Sequence, residues 1–160
     1  MKNRLSIWYL FFFLIFGVTG YYREYFFVHL NNIMFQKYYS TTSELVTPKA
    51  LSFFYSYSYN TLYYSKYFLT GFSFLIFLGL NFFAVKKLIN LPIFSKTVVV
   101  SYLIILLIAT FSMLIGYFIN HRLQNDEYTL SRWLMGIAQS PIICLILIAS
   151  QKLYIKSQNL

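Results

Sequence analysis

Charge is what this sequence has least of. Only 11% of its 160 residues are charged, against about 25% in an ordinary soluble domain. So few charges cannot cover a globular surface, and lipid is the solvent that fits. Acids are scarcer still: four, against thirteen Lys and Arg, for a net charge of +9. A basic balance of this size often marks nucleic-acid binding. Here the cations sit in short clusters between apolar stretches rather than along one polar face, so no nucleic-acid partner is expected. Cysteine is nearly absent too. Cys144 stands alone, which excludes an intramolecular disulfide and a Cys-based metal cluster.

What is present in quantity is apolar: 59% of the chain, in long runs. Four runs predict membrane spans at residues 5–22, 67–85, 98–119 and 133–151, and none holds a charged residue. A helix needs about 20 apolar residues to cross the hydrocarbon core, with about 17 to 25 acceptable. A membrane β-barrel strand would alternate apolar and polar positions. These runs are continuous, as a helix that closes its own backbone hydrogen bonds requires. The expected fold is therefore an all-α membrane protein of four transmembrane helices in one membrane domain over residues 1–160. The first external loop, residues 23–66, is expected to carry an amphipathic, aromatic-rich helical segment.

Orientation follows from charge density. With the N-terminus inside, the short cytoplasmic segments carry Lys2, Arg4, Lys86, Lys87, Lys96, Lys152 and Lys156 and no acid. The longer external segments carry Arg23, Lys37, Lys49, Lys66, Arg122 and Arg132 together with Glu24, Glu44, Asp126 and Glu127. The denser positive charge near the membrane ends places both termini in the cytoplasm, in a bacterial inner membrane. A competing reading of the first run is a secretory signal peptide cleaved after Gly20, with Val18 and Gly20 as the small residues; the bulky Trp8, Tyr9, Phe11, Phe12 and Phe13 speak against it.

The external segment is dense in Tyr and Phe, whose apolar bodies and polar tips suit the headgroup boundary. Phe26, Leu30, Ile33 and Met34 share one helical face. They predict either a helix lying on the outer surface or a helical continuation of the first span. Thr47-Pro48 has the form of a helix start leading into the second span. The stretch SFFYSYSYN, residues 52–60, alternates at period two, so a short strand competes there.

The fourth span holds the most informative residues. Gly136, Ser140 and Cys144 recur every four residues, a small-residue stripe that lets a neighbouring helix approach closely. Pro141 frees the carbonyl of Ile137 and predicts a kink, with Gln139 and Ser140 placed to satisfy freed groups. Gly136, Gln139, Ser140, Pro141 and Cys144 thus form a candidate site for helix packing or for a partner's transmembrane helix, with packing the favoured reading. Arg23, Glu24 and Arg132 are expected in an external polar cluster in which Glu24 pairs with Arg132. Asn81 reads as a helix–helix hydrogen bond. His29 and His121 are expected to be solvated rather than metal-bound. Cys144 lies too deep, and too far from either histidine, for a thiolate nucleophile. No Gly-rich phosphate loop is present, and the predicted spans hold no paired carboxylates. No catalytic set, metal or cofactor is expected.

Arg23-Glu24 followed by Tyr25-Phe26-Phe27, the pattern Arg132-Trp133-Leu134-Met135 with Gln139-Ser140-Pro141, and four spans with a long first external loop resemble small exosortase-associated membrane proteins of the Bacteroidetes. The Tyr-rich stretch 53–64 departs from that pattern. The resemblance implies a non-enzymatic partner of a membrane sorting transpeptidase. The expected partners are thus the bilayer and another membrane protein. A small oligomeric transporter or channel subunit is the second reading, and an enzyme acting at the outer face the third.

Overall fold

The computed structural model describes residues 2–40, 48–89, 91–120 and 129–158. Among them the secondary structure is helical throughout: α1 (Lys2–Tyr39), a 3-10 helix (Lys49–Ser56), α2 (Tyr59–Leu88), α3 (Pro92–Asn120), α4 (Thr129–Ala138) and α5 (Ile142–Gln158), with no strand among the described residues. Helices α2 and α3 are each long and apolar enough to cross a membrane. Helices α4 and α5 qualify only as a bent pair, so the described residues hold two such spans, or three if that pair is one span. Only 28% of the span in α2 and 17% of the span in α3 is buried within the chain, leaving most of each surface to lipid or to another protein.

The chain divides into two compact units, one of Met1–Phe16 with Phe74–Leu160, the other of Gly17–Ser73. In the larger unit, Phe12 and Phe16 of α1 pack in one core with Phe77 and Val85 of α2, Val98 and Tyr102 of α3, Ala138 of α4 and Leu147 of α5. Lipid is as apolar as these side chains, so close packing and hydrogen bonds, rather than escape from water, hold such a core. Pro92 opens α3 at the first helical position, where its missing N–H costs nothing. Lys86 and Lys87 close α2, where cations complement the helix dipole.

The smaller unit is built on the predicted apolar face. Leu30, Ile33 and Met34 are buried against Phe54 and Leu62, with Phe26 beside them. That face covers protein rather than the membrane surface. Of the two readings offered for it, the helical continuation is the one observed, since α1 runs unbroken to Tyr39. It ends where Ser40 turns left-handed at φ 53°.

Two local expectations need correction. The alternating stretch 52–60 is not a strand. Ser52 and Ser56 donate their hydroxyls to the carbonyls of Lys49 and Phe53, at 2.7 and 2.6 Å, which favours tight helical turns over extension. Nor does one helix run from Pro48 into the second span. Pro48 precedes the 3-10 helix, extended backbone follows at Tyr57, and α2 begins anew at Tyr59. Ser58 caps it, its hydroxyl accepting the Thr61 N–H at 3.3 Å. Thr47 lies outside the described residues. The 3-10 helix is tied to α1 by the Lys37 ammonium, which donates to the Tyr55 carbonyl at 2.8 Å, and by the Tyr55 hydroxyl, which donates to Gln36 at 3.1 Å.

Candidate functional site at a broken helix

Proline decides the local geometry. Helix α4 stops at Ala138 and α5 starts at Ile142, with the chain bent by 61° between them. A continuous helix would bond the carbonyls of residues 137, 138 and 140 to the N–H groups of residues 141, 142 and 144. Pro141 has no N–H, and its ring crowds the carbonyl of Ile137. The break therefore frees backbone groups inside an apolar segment, where each unpaired group is costly.

Each of the five groups that remain of those three pairs finds a substitute partner. The Ile137 carbonyl accepts the Ser140 hydroxyl at 2.6 Å. The Ala138 carbonyl accepts the Tyr102 hydroxyl from α3, also at 2.6 Å. The Ile142 N–H donates to the Ser140 hydroxyl oxygen at 3.3 Å. The third pair is split by a side chain from α2. Asn81 Nδ2 donates to the Ser140 carbonyl at 3.2 Å, while Asn81 Oδ1 accepts the Cys144 N–H at 3.1 Å. The carboxamide has thus taken the place of a peptide in the helical ladder. Asn81 Nδ2 also lies 2.9 Å from the Phe77 carbonyl and 2.8 Å from the Tyr102 hydroxyl oxygen. Its two hydrogens face three acceptors, so one is shared.

Asn81 is fully buried and Tyr102 nearly so, at 0% and 1% exposure. Asn81 was legible as a helix–helix hydrogen bond because it is an amide in an otherwise apolar span. Tyr102 carried no such signal. A single Tyr among sixteen looks like one more interfacial ring, and only the three-dimensional neighbourhood shows its hydroxyl turned inward.

The predicted packing residues are distributed across this break. Gln139 is buried in the turn, its N–H still bonded to the Met135 carbonyl at 2.9 Å. Ser140 and Cys144 contribute through their backbones as described, and the Cys144 side chain is buried. Gly136 faces outward, and a Cβ placed on it would meet nothing within 4 Å. The small-residue stripe therefore does not run along one helix. Pro141 divides it, leaving Gly136 on α4 and Cys144 on α5. What lets α2 approach is the opened backbone rather than a row of small side chains.

Of the predicted external cluster, Arg23 and Glu24 form an ion pair at 2.9 Å in the smaller unit. Arg132 is exposed on α4 in the larger unit, beside the exposed Trp133. His29 is not solvated as expected. It is buried on α1 with Tyr25 edge-on, ring centroids 4.6 Å apart, and its Nδ1 has no hydrogen-bond partner. His121, Glu44, Asp126 and Glu127 lie outside the described residues. No group of three or more His, Cys, Asp or Glu suited to a metal occurs among the described residues. Comparison with protein-family models, with curated proteins and with solved structures gives no match.

Proposed function

We propose that this chain crosses the bacterial inner membrane four times, with both ends in the cytoplasm, and acts as a non-enzymatic accessory subunit of an exosortase-like protein-sorting system. The observation that carries the reading is the contrast within α4 and α5. The polar groups of the break turn inward and bond to Asn81 and Tyr102. The outer side of α4 leaves Trp133 and Gly136 exposed. An inward-facing seam supports a structural role for the break. An exposed glycine with open space over it supports close approach by another helix.

Four crossings are supported by lengths. Helix α1 has 38 residues, about 57 Å, nearly twice the hydrocarbon core of about 30 Å. Ile7, Leu10, Phe13, Leu14 and Val18 are exposed along its first half, as lipid contact requires. In the bent pair, sharing the 61° equally leaves each half about 30° from the membrane normal, within the usual range of tilts. Leu130–Gln151 then reaches about 28 Å deep, enough to cross.

The test is photo-crosslinking from positions 133 and 136 in native membranes. The expected product joins this chain to a polytopic transpeptidase of the sorting system. A broken helix with polar groups near mid-depth is also how secondary transporters build sites, and this favours the transporter as the second reading. Crosslinks only between copies of this chain, with ion flux in liposomes, would replace the first reading by the second.

A further inference from the structure

Within the larger unit, Lys86 and Lys87 close α2, and Lys96 lies in the first turns of α3, with all three side chains exposed. The described residues of this unit contain no Asp or Glu, so nothing described there neutralises them. Lys87 is held in place: its Nζ lies 4.7 Å from the centroid of the Trp8 ring of α1. Trp8 is itself braced by Phe11 and Phe12, at 5.5 and 6.0 Å between ring centroids. Tryptophan settles at headgroup depth in a bilayer, so a lysine resting on its ring is set at the level of lipid phosphates. Three exposed lysines flanking the α2–α3 connection, one fixed on an interfacial aromatic and none with an acid to pair with among the described residues of this unit, match a polyanionic surface at that depth.

We propose that the α2–α3 hairpin, with Trp8, binds the headgroups of anionic phospholipids. The proposal rests on placing these helices in a bilayer, and is independent of the sorting partner and of which way the chain faces. A juxtamembrane lysine contributes roughly a fivefold preference for anionic lipid. Three of them make a marked preference for phosphatidylglycerol over phosphatidylcholine at this site.

Trp8 reports on its own neighbourhood. Of the two tryptophans, Trp133 is replaced by Phe, and the full chain is reconstituted in phosphatidylcholine vesicles. Either brominated phosphatidylglycerol or brominated phosphatidylcholine is then added at the same mole fraction. The expected result is several-fold stronger quenching of Trp8 by the anionic lipid. The K86Q/K87Q/K96Q variant should bring the two quenchers to parity while both still quench, and K86R/K87R/K96R should keep the preference. Equal quenching with the native lysines overturns the proposal, as does a preference that survives the glutamine variant. Loss of the preference on adding inorganic phosphate would reassign the site to the free anion and overturn the lipid. Quenching by neither lipid would remove the bilayer placement itself, a failure distinct from parity.

Discussion

The two units solve the same problem with opposite chemistry. The larger one contains a helix pair, α4 and α5, interrupted at proline, and polar atoms from neighbouring helices repair the interruption: Asn81 and Tyr102 complete its backbone hydrogen bonding. The smaller one has an unbroken helix face and closes on rings and aliphatics, with Leu30, Ile33, Phe54 and Leu62 at its centre. In the first, position is fixed by directional bonds that only particular residues can make. In the second it is fixed by shape and volume, which many apolar residues could supply. Among the described residues, specificity is therefore concentrated at a few polar atoms set between apolar helices.

The sharpest way to break this contrast is a cavity in the smaller unit. Leu62→Ala should cost about 3 kcal/mol, as removal of a fully buried leucine does. Hydrogen exchange should show opening confined to residues 17–40 and 48–73. Comparable loosening of α3 to α5 would mean that the two units are not separate in stability. Next comes Asn81→Leu, which keeps the branched shape in a somewhat larger side chain but cannot bond. It leaves the Ser140 carbonyl and the Cys144 N–H unpaired and should cost about 2 kcal/mol in denaturant titration of the detergent-solubilised protein. A loss below about 0.5 kcal/mol would show that the seam contributes little.

A smaller effect, about 1 kcal/mol, is expected for Ser58→Ala, which removes the cap of α2. It should appear as fraying of residues 59–62 by exchange, with the seam unaffected. The smallest concerns Gly136→Ala. Since its Cβ meets nothing in this chain, stability should stay level or rise by up to about 1 kcal/mol. Crosslinking to a partner at this position should nevertheless fall. A destabilised isolated protein would show that Gly136 is already covered.

Much of the layout of α2 and α3 was legible because long apolar runs constrain a membrane helix strongly. Runs 67–85 and 98–119 lie within α2 and α3. The break at Pro141 was also legible, since a missing N–H and a displaced carbonyl follow from proline alone. Its repair was only half visible. Asn81 announces itself as a lone amide, whereas Tyr102 is hidden among similar residues, because the role of a tyrosine depends on where its hydroxyl points. In the smaller unit, periodicity identified the buried face of α1, and what covered it came from residues far along the chain. The alternation at 52–60 misled because serine hydroxyls bonding back to nearby carbonyls stabilise a tight helix that side-chain periodicity does not reveal.

The central claim is that the Asn81 carboxamide substitutes for the helical bond lost between Ser140 and Cys144 when Pro141 interrupts the helix between α4 and α5. A double-mutant cycle of Asn81→Leu and Pro141→Ala tests it most directly, with unfolding free energies measured in the same detergent. Alanine restores the N–H at position 141 and lets the ladder close, so the loss caused by Asn81→Leu should shrink by about 1 kcal/mol or more in that background. Equal losses with and without Pro141, within about 0.3 kcal/mol, would contradict the claim and reduce Asn81 to an ordinary packing residue.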